Sequence, residues 1–276
     1  MTRVIAELGI NHSGELDLAL QLIDLAHECG ADGVKFQKRT VEIVYSPAVL
    51  ASPRESPWGT TNGDQKRHLE FGRQEYDAID AHCRRIGMPW FASAWDLPSL
   101  EFLQPYHLPY NKVASAMLTH RPLLEAVAVQ GKETFISTGM STLGQVEDAV
   151  AIFQAARCPF VLMHTVSTYP TPDDQLNLRC LETLRKIHPR VGYSGHEVSP
   201  IPSIIAAALG AEVIERHLTL DRAMYGSDQA ASLEGHGFAY MVDAIRRLPG
   251  YLGTGIKTMA PGEAEVLKKL RYWEAA

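Results

Sequence analysis

The sequence predicts a closed α/β barrel of the (β/α)8, or TIM, class, and three observations carry that expectation. Short apolar runs rich in β-branched residues alternate with helical patterns eight times along the chain. The units recur every 25 to 35 residues or so, and the 276-residue total suits the roughly 250 residues of such a barrel. Polar side chains gather at the same end of each apolar run, where a parallel barrel builds its sites.

In order, Val4 to Ile10 reads as strand one, Asn11-His12-Ser13-Gly14 as its loop, and Leu16 to Ala26 as a helix ending near Gly30. Gly33 to Gln37 is strand two, and Gln74 to Ile86 its amphipathic helix. Pro89 to Trp95, Asn111 to Ser115, Thr134 to Ser137 and Phe160 to His164 supply strands three to six. Their helices are expected from Pro98, over Pro122 to Gln130, over Leu143 to Ala156 and over Leu178 to Ile187. Val191 to Tyr193, a helix over Pro200 to Leu209 and a strand from Val213 complete the barrel, with Leu233 to Leu248 as the closing helix. The stretch from Lys38 to Arg73 is too long for a simple connection and reads as a lid or substrate loop. A doubly wound sheet would want G-x-G-x-x-G after strand one, and Gly9-Ile-Asn-His-Ser-Gly14 lacks that spacing. Residues 1–255 are thus expected to form the barrel and 256–276 a tail with a short basic helix, without a second domain.

Composition narrows the function classes. With 46% hydrophobic and 21% charged residues the chain is an ordinary globular one. A net charge of -6, with no cluster of Lys and Arg, argues against a nucleic-acid partner. Cys29, Cys83, Cys158 and Cys180 are scattered without a C-x-x-C pair, as for reduced thiols in the cytoplasm. The N-terminus lacks the apolar core of a signal peptide, and no membrane partner is expected.

The strand ends offer Glu7, Lys35 with Gln37, Ser93, Lys112 with Ser115, Ser137, His164 with Ser167, Ser194 with His196, and His217. Two lysines and several serines would hold a dianionic phosphate by charge-assisted hydrogen bonds. Two histidines with a carboxylate would hold a divalent metal with open positions. Together they suggest metal-assisted chemistry on a phosphorylated compound. Each residue also has a plainer reading: His196 and His217 as hydrogen-bonded rim histidines, and Lys35 and Lys112 as internal ion-pair partners. Glu215 is either a further ligand or the partner of Arg216 or a neighbour. His164 is expected to be structural, and His12 is either a loop hydrogen-bonding group or a site residue.

Several of these segments occur in a familiar order: Glu7 to His12 with Gly14, Gly33 to Gln37, Lys112 to Ser115, Ser137 to Met140, His164 through Pro172, Ser194 to His196, Glu215 to His217, and Gly226 to Asp228. From about residue 4 to 255 the chain resembles the sialic acid synthases. That family condenses phosphoenolpyruvate with an open-chain amino sugar to give a 2-keto-3-deoxy sugar acid and phosphate. By position, the resemblance implies enolpyruvate and phosphate contacts at Lys35, Lys112, Ser115, Ser137, Ser167 and Ser194. It implies manganese, with magnesium or cobalt as substitutes, on His196 and His217, and proton transfer at Glu7. Gln37, Tyr169 and Asp228 match residues lining the sugar pocket.

Three departures bear on the acceptor. Ala116-Met117 stands where the family carries Gly-Glu against the sugar. Ser194-Gly195-His196 replaces Ser-Asp-His, which is expected to remove an acidic group near the metal. The chain ends at Ala276 without the family's antifreeze-like domain, which suggests a different sugar or a separate chain supplying that domain. A homodimer is the expected assembly. Other readings left open are a catalytically silent sugar- or partner-binding barrel, a Schiff-base pyruvate aldolase using Lys35 or Lys112, and enolpyruvate transfer without C–C bond formation.

Overall fold

The computed structural model describes residues 2–274. Eight parallel strands form a closed barrel: β1 (Arg3–Glu7), β2 (Gly33–Lys38), β3 (Trp90–Ala94), β4 (Asn111–Val113), β5 (Thr134–Ser137), β6 (Phe160–Thr165), β7 (Val191–Gly195) and β8 (Val213–Thr219). Each strand pairs with the next in sequence, and β8 returns to pair with β1 over Arg3↔Val213 to Glu7↔His217. A two-residue strand, Leu233–Glu234, adds to β8. The predicted (β/α)8 class is therefore the observed one.

The main connecting helices are α1 (Leu16–Glu28), α2 (Arg73–Ile86), α3 (Leu97–Leu103), α4 (Arg121–Val129), α5 (Leu143–Ala155), α6 (Cys180–Ile187), α7 (Ile201–Ala208) and α8 (Gly235–Leu252). Their sequences show why they form. In α1, Ala19, Leu22, Ile23 and Ala26 fall on one face and are buried against the barrel. Thr142 and Gln145 make a reciprocal capping box at the start of α5. Asp96 caps α3 through Ser99 N at 2.7 Å, and its other oxygen accepts from Thr40 N at 2.7 Å, which ties the end of β3 to the end of β2.

Two boundaries differ from expectation near the site. Strand one stops at Glu7 rather than Ile10, because the chain turns at once: Leu8 N bonds Lys35 O, Asn11 N bonds Leu8 O, and Ile10 takes a left-handed φ of 50°. Strand four stops at Val113, and Ser115–Met117 form a 3-10 turn. The 38–73 excursion is not a bare loop. It holds short helices Val41–Val44 and Pro47–Ala51, a hairpin of Pro53–Ser56 with Gly59–Thr61, and a helix Asn62–Leu69 started by a Thr61/Asp64 capping box. Trp58 stacks on His68 at 4.4 Å and meets Tyr225 edge-on at 5.4 Å, so the excursion packs on the loop that follows β8.

The chain divides into two compact units, residues 1–246 and 247–276. The first contains the barrel. The second contains helix Glu263–Leu270 followed by a 3-10 turn at Tyr272–Glu274. Among the described residues no helix is long and apolar enough to cross a membrane.

Candidate active site

Strand register decides which polar groups meet. Glu7 is the cross-strand partner of Lys35 on one side and of His217 on the other, and Glu215 is the partner of Ser194. Because side chains alternate along a strand, Glu215 and His217 share a face and Arg216 takes the opposite one. Glu7, Lys35, Lys112 and Glu215 are all at most 5% exposed. Burying four charges is costly unless they are paired, and here they are.

Lys35 Nζ forms an ion pair with Glu7 and lies 3.5 Å from Glu215 Oε1. Lys112 Nζ lies 3.5 Å from the same Glu215 oxygen and donates to Ser137 Oγ. Ser194 Oγ donates to Glu215 Oε1 at 3.3 Å. Burial pulls the Lys35 pKa down, but Glu215 and Glu7 outweigh it and the ammonium is held above its ordinary value. For Lys112, burial and the neighbouring Lys35 outweigh Glu215, and its pKa is pushed down to about 8. Burial opposes the ionisation of Glu215, yet Lys112 and Lys35 bring its carboxyl down to about 2. Glu215 is thus an internal counter-ion between two lysines, not the partner of Arg216. The lysines do sit in ion pairs, as their plainer reading had it, and they also face a cavity.

That cavity, of about 190 Å³, opens at the C-terminal end of the strands. Its walls include Glu7, Lys35, Gln37, Lys112, Ser115, Ser137, Ser167, Tyr169, Ser194, His196 and His217, so eleven of the twelve residues to which the family resemblance assigns a role face one space. The twelfth, Asp228, is not in the wall, but its Oδ2 lies 4.0 Å from His217 Nδ1. Ala116 is in the wall and Met117 is not. His164 donates to or accepts from no cavity group and instead bonds Leu176 O through Nε2 at 2.7 Å. His12 stacks on Phe71 at 4.1 Å, and burial pushes its pKa down to about 3, so it is a neutral core histidine.

The two rim histidines are 5.6 Å apart by ring centre, with the Tyr169 ring 4.1 Å from His196. His196 Nδ1 sits 2.6 Å from Val166 O. A carbonyl can only accept, so Nδ1 carries the proton and Nε2 keeps its lone pair. Burial, with His217 adding to it, pushes the His196 pKa down to about 3 and keeps the ring neutral. His217 Nδ1 is buried without a hydrogen-bond partner. The neutral His196, with its free Nε2, the His217 ring with its uncommitted buried Nδ1, and a carboxylate at hand fit two positions of a borderline divalent cation that leaves others to substrate oxygens. Among the described residues no group of three His, Cys, Asp or Glu side chains forms a ready-made cage.

The model of the NeuB family matches residues 22–257. The chain belongs to the NeuB family. Human N-acetylneuraminate-9-phosphate synthase is 38% identical to this NeuB-family chain over 271 residues, which is 97% of this chain and 76% of that protein. The N,N'-diacetyllegionaminic acid synthase of Campylobacter jejuni is 33% identical over 279 residues, 98% of this chain and 83% of that protein. Among solved structures, the N-acetylneuraminic acid synthetase of Leptospira borgpetersenii, crystallised with citrate, superposes with a TM-score of 0.85 at 30% identity, covering 100% of this chain and 93% of that one. This NeuB-family chain is thus an enzyme of the sialic acid synthase type.

Within the NeuB barrel, three features escaped the reading of the sequence. Arg39 donates to Gln37 Oε1, pairs with Glu70 at 3.1 Å and covers the ring of the cavity residue Trp95 at 4.3 Å. Gln37 in turn donates to Glu7 Oε1 at 3.0 Å, so Arg39 sets the amide that sets the carboxylate. The adjacent cations Lys38-Arg39 at a strand end were the available signal. Met140, with φ of 59°, lines the cavity from the loop after β5. The third feature corrects an expectation. Gly195 does not vacate a place beside the histidines: a Cβ there would lie 2.4 Å from Glu197 Oε2 and 2.6 Å from Tyr193 Cε1, on the outer face of β7.

Proposed function

We propose that this NeuB-family enzyme joins phosphoenolpyruvate to the aldehyde carbon of an open-chain sugar, giving a 2-keto-3-deoxy sugar acid and phosphate. The observation that carries the reading is one cavity whose floor holds Lys35 and Lys112 among serines and whose rim holds His196 and His217. Buried cations with hydroxyl donors suit a phosphate and a carboxylate on a small molecule. Ser115, Ser137, Ser167 and Ser194 surround the same space and would share the phosphate and carboxylate oxygens with the lysines.

C3 of the enolpyruvate attacks the aldehyde carbon, and the aldehyde oxygen takes up a proton. Cationic character left at C2 is met by water, one of whose protons balances that taken up by the aldehyde oxygen; the remaining hydroxyl proton passes to the phosphate as the bond from C2 to the phosphate ester oxygen breaks, which leaves the ketone. Glu7 is the carboxylate for that water: Gly9 N at 2.8 Å and Gln37 Nε2 at 3.0 Å fix its Oε1. The lysines offset the charge of the departing phosphate. His196 and His217 would hold a divalent cation, manganese by the family resemblance, which when bound supplies Lewis-acid polarisation of the aldehyde. Gln37, Trp95 and Tyr169 line the acceptor side, and Asp228 approaches it past His217.

The low pKa of Lys112 is the observation on the side of a Schiff-base aldolase. Its contacts with Ser137 and Glu215 suit an anion better than an imine. The two are separated by one experiment: phosphate release from phosphoenolpyruvate with manganese across a panel of free and phosphorylated aldoses and acylamino sugars, repeated with chelator, beside borohydride trapping with pyruvate. Release that needs both the metal and one acceptor supports the synthase and identifies its sugar. Covalent trapping at Lys112 without phosphate release supports the aldolase, and neither result would favour a silent barrel.

A further inference from the structure

Behind the two rim histidines, on the outer face of β7 and β8, lies a second charged pair that the reaction leaves unused. Glu197 directly follows His196 and Arg216 directly precedes His217, and both side chains are 0% exposed. Arg216 Nη1 donates to Glu197 Oε1 at 2.8 Å, to Ser199 O at 2.9 Å and to Ser203 Oγ at 3.0 Å. Its Nη2 donates to the Glu197 carbonyl, and Tyr193 Oη donates to Glu197 Oε2 at 2.7 Å. One guanidinium thus grips both the carboxylate and the backbone of the residue beside one imidazole while standing next to the other.

The place of this pair in the sheet is informative. The register between β7 and β8 runs Tyr193↔Ile214, Ser194↔Glu215, Gly195↔Arg216, and ends there. His196 and His217 lie one residue beyond that last rung, so the two imidazoles project from the end of the ladder. On the inside, His196 is tied to the loop after β6, through Val166 O and through Thr171 N, which donates to His196 O at 3.0 Å. Beyond the register, Arg216 joins β8 to the β7 loop through Glu197 and Ser199. A buried ion pair adds little net stability over an apolar pair of the same size, so its contribution here is one of geometry. Gly195 leaves the space that the Glu197 carboxylate occupies.

We propose that the Glu197–Arg216 pair is a positioning device that sets the separation and pitch of the His196 and His217 imidazoles, and thereby the affinity with which they take a divalent cation. This inference rests on the metal-binding reading of the two histidines. The test measures manganese binding without substrate, by the electron paramagnetic resonance signal of free manganese, and phosphoenolpyruvate binding by calorimetry. The proteins compared are the full chain, His217→Ala, Tyr193→Phe and the double variant Glu197→Gln with Arg216→Met, which leaves no lone buried charge. The double variant, folded by circular dichroism, is expected to bind manganese roughly 10–100-fold more weakly, as when the outer partners of metal ligands are removed. Tyr193→Phe should show a smaller loss, and phosphoenolpyruvate affinity should hold in both, since Lys35 and Lys112 stand on β2 and β4. A folded double variant with full manganese affinity, beside a His217→Ala variant that has lost it, overturns the positioning role alone. Should the double variant fail to fold, unchanged manganese affinity in Tyr193→Phe overturns it instead. Manganese binding that survives His217→Ala overturns the metal reading itself.

Discussion

Lys35 and Lys112 stand on strands that are not neighbours, yet their ammonium groups reach the same Glu215 oxygen, each at 3.5 Å. That oxygen lies between two cations while Glu7 takes up the other side of Lys35. The floor of the cavity is therefore a closed set of two positive and two negative groups.

Removing one member should separate anion binding from metal binding. Lys35→Ala is expected to weaken phosphoenolpyruvate binding by about 2–5 kcal/mol, the usual cost of truncating a buried charge partner. Manganese content should be unchanged. Calorimetry and metal analysis of the purified variant check both, and loss of metal would overturn the division of roles between lysines and histidines.

Lys112, with its pKa pushed down to about 8 by burial and Lys35, gives a pH dependence of definite sign. Below about 8 the group is charged and can hold phosphate; above it the free enzyme loses that charge. The prediction is that kcat/KM for phosphoenolpyruvate falls as pH rises through about 8, while kcat, which reports the complex, is less affected. Arginine stays charged throughout, so Lys112→Arg should flatten this limb whatever its absolute rate. A limb that persists in the arginine variant assigns it to another group.

Gly9 tests Glu7 without touching it. A Cβ at residue 9 would stand 2.3 Å from Glu7 Oε1 and 2.5 Å from Gln37 Cγ, so Gly9→Ala must displace the carboxylate or its amide partner. A fall in kcat of tenfold or more, roughly 1.4 kcal/mol on the barrier, is expected with little change in phosphoenolpyruvate KM. Steady-state kinetics on both substrates decides it, and a rate equal to wild type would show that Glu7 need not be held in place.

Stability should respond unevenly to the outer pair. Arg216→Met alone leaves Glu197 buried and uncompensated, and should cost about 3–5 kcal/mol. The double variant with Glu197→Gln should recover much of that loss. Urea unfolding of the two proteins measures the difference, and equal losses would mean that packing, not charge, dominates at this place.

The barrel was legible because each strand announces itself by a short apolar run and each site residue by its place at the run's end. Lys35, Lys112, His196 and His217 could be picked out on that basis alone. What pairs with what was not legible, since partners such as Glu215 and Lys35 lie on strands far apart in sequence and meet only through register. The direction of Gly195 was misjudged for a related reason: which face a residue takes depends on the strand's alternation, and Glu197 two positions later fills the outer side. The 38–73 excursion hid its order because its helices are short and polar, held by a Thr61/Asp64 cap and a Trp58–His68 stack rather than by an apolar stripe.

The closed charge set on the cavity floor balances its own positive and negative groups. Phosphoenolpyruvate brings several negative charges into that balance, a short distance from the imidazoles of His196 and His217. A dication at those rings would be drawn in more strongly once the anion is present, and by reciprocity the anion would be held more strongly once the dication is there. The two arrivals are coupled through the neutrality of the site that receives them.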